Sequence, residues 1–375
     1  MAQYYTGAQV FDRGALLEHY ALVVEGGKTQ QLVPESAIPE GAQVKRLEGG
    51  ILTPGFVETQ ANGGGGVLVN DQCDRAGLEK VLAGHRKYGT VAMLPTFITD
   101  SQEKYHQAIA NVANLVKEGM KGLVGGHFEG PFLCVEKKGT HNPRYIRIPD
   151  EKDFACYEKY AEYLQHSILS LAPEQVPAGT IARIKPFIPQ INLAHSMATA
   201  EDLLAARAEG LTGITHLYNA MRPLSGRDPG PIGSAVELGL YAGIIADGVH
   251  SSPYSLATAY QLLGDQHLML VTDSMHTIGA PEITEFDLMG VKVFVKEDRL
   301  VNEHGSLAGA HINLLQCVQN AVRYMHADIR SALRMAVSTP ANYVGRADLA
   351  TIVARDVDDV IYLTKGDLAL ANWQA

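Results

Sequence analysis

I-N-L-A-H-S-M-A-T-A-E-D-L-L-A-A-R-A-E-G-L-T-G-I-T-H-L-Y-N-A-M, residues Ile191–Met221, is the stretch whose reading decides the fold. His195 and His216 each close a short apolar run of strand-like residues, and small or polar residues follow each of them. The link Thr199–Gly210 reads as an amphipathic helix, with Thr199 as its N-cap and Gly210 where a C-terminal stop belongs. A strand–helix–strand unit with a histidine at the end of both strands sets two imidazoles on one rim of a parallel sheet. Two neutral imidazoles on one edge supply half of a divalent-metal site, or they simply cap two strands.

Working outward, the middle of the chain repeats this alternation. Strand-like runs occur at Ile51–Glu58, Val91–Thr99, Gly122–Phe128, Ile168–Ala172, Tyr241–Ala246 and His267–Thr272, beside the two that carry the histidines. Helical patterns fall at Leu78–Tyr88, Ser101–Glu118 and Asp150–Leu164. Eight strand–helix units predict a (β/α)8, TIM-like barrel. A doubly wound sheet is the alternative, but no G-x-G-x-x-G turn is present. The two ends of the chain read differently. Tyr20–Val24, Gln31–Val33, Ala350–Ala354 and Asp359–Thr364 are β-prone, with E-G-G-K at 25–28 as a hairpin turn. We therefore expect a small β-sandwich domain made from both termini, residues 1–52 plus 345–375, around a barrel spanning 53–344.

Active sites of such barrels lie where the strands end. The residues there are Gln60 and Asn62, Glu129, His195, His216, His250 and Asp273. Glu129, His195 and His216 offer a carboxylate oxygen and two imidazole nitrogens, a three-ligand set that leaves a zinc-like ion an open position. Asp273 is placed to move a proton, or to cap a turn. His141, in G-T-H-N-P, is placed to donate to an oxyanion, or to face solvent. Arg227, in the loop G-R-D-P-G, can pair with a phosphate, as can any surface arginine. The glycines at 63–66 lack a following G-K-[ST], so we read them as a tight turn rather than a phosphate cradle.

Composition narrows the partners. With 375 residues, 46% hydrophobic and 19% charged, the chain has ordinary globular proportions. A formal charge of −10 and the lack of a dense Lys/Arg cluster argue against nucleic acid. No apolar run nears the roughly 18 residues of a membrane span, and no signal peptide is visible at the start. Four scattered cysteines without a C-x-x-C pair fit a reducing cytoplasm.

Several segments together carry a family resemblance: T-P-G-F-V-E-T-Q-A-N-G (53–63), H-F-E-G-P-F (127–132), K-K-G-T-H-N-P (137–143), L-A-P-E (171–174), A-H-S-M-A-T (194–199), T-H-L-Y-N-A-M (215–221), G-R-D-P-G (226–230), I-I-A-D-G-V-H (244–250), V-T-D-S (271–274) and S-L-A-G (306–309). In this order, along almost the whole chain, they resemble the amidohydrolase superfamily and, within it, the N-acetylglucosamine-6-phosphate deacetylases. The resemblance implies a hydrolase that cleaves the acetamide of N-acetyl-D-glucosamine 6-phosphate. It implies one divalent ion per subunit held by Glu129, His195 and His216, zinc first, with Fe2+, Co2+ or Mn2+ as alternatives. Asp273 is then the general base and acid, and His141 polarises the carbonyl. Asn219, Ala220, Arg227, His250 and Leu307 touch the sugar phosphate, Arg227 from the other subunit of a homodimer. Many relatives carry H-x-H after the first strand to help bind a second ion. Here the pair is Gln60-x-Asn62, and amides are poor zinc ligands, so a single ion is expected.

Three rivals stand beside this reading: the galactosamine 6-phosphate epimer, a dihydroorotase-like cyclic amidase, and a non-catalytic barrel that only binds. The cyclic amidases use a bridging lysine after the fourth strand, where this chain has Pro173 and Glu174.

Overall fold

The computed structural model of the chain describes residues 1–288, 291–297, 299–305 and 307–374, the side chain of Leu288 excepted. Eight strands form one sheet in sequential order. They are β1 (Phe56–Ala61), β2 (Thr90–Ile98), β3 (His127–Glu129), β4 (Ile168–Leu171), β5 (Gln190–Leu193), β6 (Gly213–Ile214), β7 (Tyr241–Ile245) and β8 (Leu268–Val271). All neighbouring pairs are parallel. The barrel closes just past the strand ends, where the Asp273 N–H donates to Gln60 O over 2.8 Å and Ser274 bridges Ala61 in parallel. The (β/α)8 barrel is therefore the fold.

Helices run between the strands: α1 (Arg75–Arg86), α2 (Gln102–Lys117), α3 (Glu151–Tyr160), α4 (Thr180–Ile184), α5 (Ala200–Glu209), α6 (Gly230–Glu237) and α7 (Pro253–His267), with α8 (Leu314–Tyr324) after β8. In α2, Tyr105, Ala108, Ile109, Val112 and Ala113 are buried, the 3–4 spacing that turns one helical face to a sheet. Ser101 caps that helix by accepting from the Lys104 N–H. The expected link after β5 is α5, with a Thr199/Asp202 capping box and Gly210 in a left-handed conformation, φ 119°.

Some expected elements change on folding. Ile51–Glu58 is not one strand. It breaks at Gly55, so Ile51–Pro54 joins a terminal sheet and β1 begins at Phe56. A Cβ on Gly55 would stand 2.2 Å from Val91 Cγ1, so only glycine fits the crossing. The Gly122–Phe128 run yields only three strand residues, His127–Glu129. Leu123 and Val124 precede two glycines that hold no side chain against the sheet. Ala350–Ala354 forms no strand: Ala350 ends a 3-10 turn, and the Ile352 carbonyl accepts from the Thr29 hydroxyl instead of a ladder N–H.

The termini build two sheets. One is ordered Lys28–Pro34, Tyr20–Glu25, Gln3–Thr6, Gln43–Arg46, and the other Leu370–Ala371, Val360–Leu363, Ile51–Pro54, Gln9–Asp12, Ala15–Leu17. Tyr5, Val10, Leu22, Leu52, Tyr362 and Trp373 share the core between them. The turn at 25–28 is a hairpin, with Gly26 and Gly27 at φ 60° and 74°.

One element had no counterpart in the sequence reading. Between β8 and α8 the chain inserts a four-stranded antiparallel sheet: Glu285–Leu288, Val291–Lys296, Arg299–Asn302 and Leu307–Ala310. Ser306 of the S-L-A-G segment lies outside the described residues. Among the described residues, no helix is long and apolar enough to cross a membrane.

Candidate active site

At the carboxyl ends of the strands a cavity of about 540 Å3 opens. Glu129, the last residue of β3, points its Oε1 at two imidazoles: His195 Nε2 and His216 Nε2 each stand 2.9 Å away, and 3.1 Å from one another. All three side chains are buried. His195 Nδ1 lies 2.6 Å from the Lys137 carbonyl. A carbonyl only accepts, so Nδ1 carries the hydrogen and Nε2 turns a lone pair toward Glu129 and His216. The carboxylate and the facing imidazole nitrogens call for a positive charge between them. Without an ion the proton of His216 supplies it, burial lowering that imidazole but the charge of Glu129 raising it on balance to about 9. A divalent ion satisfies that requirement with an N2O donor set. The buried Glu/His/His cluster thus fits a metal site.

His141 belongs to the same cluster. Its Nε2 lies 3.8 Å from Glu129 Oε1, and the donor atoms of Glu129, His141 and His195 all fall within 4.8 Å. His216 Nε2, at 2.9 Å, approaches Glu129 Oε1 more closely than His141 Nε2 does. The other nitrogen of His141 pairs with the Thr99 hydroxyl over 2.8 Å. That hydroxyl can donate or accept; in the tautomer where it donates, His141 carries its hydrogen on Nε2, toward the site.

The backbone of this rim is strained on purpose. His195, His216 and Asp273 adopt φ values of 45°, 32° and 49°, unusual for residues with a Cβ. Each such residue costs about 1–3 kcal/mol and persists only where its surroundings enforce it. Here the strand-end loops brace each other: Ser196 and Met221 form a parallel bridge, and Ser196 N–H donates to Ala220 O over 3.1 Å.

Asp273 faces the cluster from β8. Asn62 Nδ2 donates to its Oδ1 over 2.8 Å and Gln60 Nε2 over 3.1 Å. Burial raises the Asp273 carboxyl above its ordinary pKa, and the charge of Glu129 raises it further. Burial also pushes Glu129 up, but the imidazoles of His216, His141 and His195 outweigh this and hold it well below the usual range. For His141, burial dominates and lowers the imidazole to about 4, with His195 adding to the effect.

Around this centre the cavity is lined by His250, Asn219, Ala220 and Leu307. His250 is held by Asp247, whose Oδ2 meets Nδ1 at 2.5 Å while its Oδ1 accepts the His250 and Val249 N–H groups. Leu307 comes from the inserted sheet. Arg227 is the one expected contact that does not line the cavity. It is exposed, in the loop between β6 and α6 where Arg222 pairs with Asp228 at 2.8 Å. Thr99, the Lys137 carbonyl and Asp247 are contributors that sequence reasoning missed. Hydroxyl, backbone and turn-forming groups of this kind carry no spacing signal.

A family model described as "Amidohydrolase family" matches residues 51–354. The chain belongs to the amidohydrolase family. It is similar to the N-acetylgalactosamine-6-phosphate deacetylase of Shewanella sp. (strain ANA-3), with 37% identity over 372 residues, 98% of this chain and 94% of that one. It is similar also to the N-acetylglucosamine-6-phosphate deacetylase of Haemophilus influenzae, with 34% identity over 348 residues, 90% of this chain and 89% of the other. Among solved structures, N-acetylglucosamine-6-phosphate deacetylase from Pasteurella multocida superposes with a TM-score of 0.89 at 32% identity, covering 99% and 97% of the two chains. In this amidohydrolase the pair at the end of the first strand, Gln60 and Asn62, offers N–H groups to Asp273 where a second ion would need lone pairs.

Proposed function

We propose that this amidohydrolase hydrolyses the acetamide of N-acetyl-D-glucosamine 6-phosphate to D-glucosamine 6-phosphate and acetate. The observation that carries the reading is the meeting of Glu129, His195 and His216 with Asp273 in one cavity, in a chain that matches such deacetylases along nearly its whole length. Glu129, His195 and His216 hold one divalent ion, with zinc the first choice for a mixed nitrogen and oxygen set. Such an ion supplies Lewis acidity, which polarises a carbonyl and makes water more acidic.

The chain's own groups do the rest. Asp273 accepts the proton of the attacking water and then delivers it to the nitrogen as the C–N bond breaks, so that the amine leaves neutral. Its raised pKa suits a group that must hold that proton between the two steps. His141 Nε2–H steadies the charge growing on the acyl oxygen. Asn219, Ala220 and Leu307 touch the sugar, and His250 contacts the phosphate. Arg227 reaches the phosphate from a second subunit, so the working form is a homodimer. Its exposure and its absence from the lining of its own cavity support this. The four unpaired cysteines support a cytoplasmic setting. The two terminal sheets support a division close to residues 1–52 with 345–375 and 53–344, with the first boundary moved to Gly55 because the strand Ile51–Pro54 lies in a terminal sheet.

A specific observation favours a second reading. The 37% identity to a galactosamine 6-phosphate relative, over 98% of this chain, supports the C4 epimer as substrate. Steady-state hydrolysis of both N-acetylhexosamine 6-phosphates by metal-reconstituted protein decides between them. No acetate release from either would overturn both.

A further inference from the structure

Directly beneath the metal ligands lies a run of polar residues with no part in the chemistry above. The inward positions of a (β/α)8 barrel are mostly filled by branched aliphatic side chains. At this level the chain instead has His127, Ser170, Asn192 and Thr215, all buried. Thr215 immediately precedes His216, and His127 lies two residues before Glu129 on the same face of β3. Ser170 is the register partner of Glu129, and Asn192 that of Ser170.

These residues form one continuous chain of hydrogen bonds. His127 Nδ1 lies 2.9 Å from Thr59 O, and His127 Nε2 2.7 Å from Ser170 Oγ. Ser170 Oγ lies 2.7 Å from Thr215 Oγ1, which accepts from Asn192 Nδ2 over 3.1 Å. Asn192 Oδ1 accepts from the Tyr343 hydroxyl, which belongs to the helix Thr339–Tyr343. The direction of every bond follows from its ends. Thr59 O only accepts, so His127 Nδ1 donates and Nε2 accepts from Ser170. Ser170 has then spent its one hydrogen and must accept from Thr215. Thr215 in turn accepts from Asn192, and Asn192 from Tyr343. Each hydroxyl hydrogen from Ser170 through Tyr343 has one place to go.

The geometry points to Ser170, Thr215, Asn192 and Tyr343 as positioning residues that, through His127, set the spacing of β3, β5 and β6 before the ion arrives. This inference rests on Glu129, His195 and His216 being metal ligands. The strand-end loops that carry His195 and His216 are strained and brace each other only locally. A buried chain with a single proton order gives the ligands a rigid anchor, because a broken link strands a donor and an acceptor where water cannot repair them.

The test is zinc affinity of the full-length, metal-free protein, read by competition with a chelator at a temperature well below unfolding. Thr215→Val keeps the shape and removes the hydroxyl. It is expected to weaken zinc binding about tenfold, the low end of what losing a group bonded directly to a ligand costs, because Thr215 acts on the ligands only through the strands. Thr215→Ser restores the hydroxyl and should bind as the wild type does. Tyr343→Phe, which breaks the chain from a different element, should weaken zinc binding several-fold and shift the ligand-field spectrum of the cobalt-loaded protein. It is the deciding variant should Thr215→Val not fold. Folded Thr215→Val or Tyr343→Phe protein with wild-type zinc affinity and an unshifted cobalt spectrum would overturn the proposal, even with a lowered Tm. A wild-type protein that binds neither zinc nor cobalt would overturn the metal reading itself, which is a separate failure.

Discussion

The side-chain amide of Asn62 donates to the carboxylate of Asp273, Nδ2 to Oδ1, over 2.8 Å. The Gln60 amide sits alongside, its Nε2 3.1 Å from Asp273 Oδ1 and 3.2 Å from Glu129 Oε2. With a carboxylate oxygen on either side, the NH2 end of Gln60 must face them, since the opposite flip would set three oxygens together. The Gln60 N–H groups therefore lie between Glu129 and Asp273 and offer a second ion no lone pair there. Elemental analysis of active protein should find one tightly held divalent ion per chain. Two would contradict the assignment.

Asp273→Asn should leave metal content and substrate binding intact and lower turnover by about 10²- to 10⁴-fold, the usual worth of a general acid–base group. The amide matches the carboxylate in size and cannot take the proton. More than half of wild-type turnover in this variant would remove Asp273 from the mechanism.

Arg227 tests both the phosphate and the second subunit. A charge-assisted hydrogen bond is worth roughly 1.5–3 kcal/mol. Arg227→Ala should raise KM for the phosphorylated sugar about ten- to a hundredfold and barely affect slow hydrolysis of the unphosphorylated one. Chains carrying Arg227→Ala mixed with chains carrying Asp273→Asn should regain partial activity, because one site in each mixed dimer is complete. Equal losses on both sugars would make Arg227 structural.

Glu58 makes stability depend on pH. Its Oε1 accepts from the Gln60 N–H at 2.9 Å and the Thr272 N–H at 3.4 Å, while Oε2 is buried without a partner. Burial raises the carboxyl to about 8, from the 4.5 of an exposed glutamate. Between those values the folded protein keeps a proton that the unfolded chain releases. The stabilisation is thus fully present below about pH 4.5 and is lost as pH rises through about 8. Glu58→Gln cannot ionise and keeps an acceptor oxygen. It should melt about 2 °C or more above the wild type at pH 8, with that advantage shrinking toward pH 5. Parallel Tm curves for the two proteins across this range would refute the assignment.

Local pattern was enough for the barrel and for the residues at its mouth. Strand and helix periods, and side chains that end strands, are properties of neighbours in the chain. Thus His195, α5 and His216 could be read as one unit, and Glu129 and Asp273 as members of the same rim. The partners of those residues could not be read. Asn62 and Asp273 are 211 positions apart, and the chain from Tyr343 to His127 crosses four strands of the barrel. Gly55 breaks a continuous apolar run because Val91 stands against it, a contact that only the closed barrel creates. The inserted sheet between β8 and α8 and the position of Arg227 outside its own cavity were decided in the same way. Hydrogen bonds and steric contacts depend on distances in space, which only the packed chain defines, whereas periodicity and residue type are already complete in the sequence.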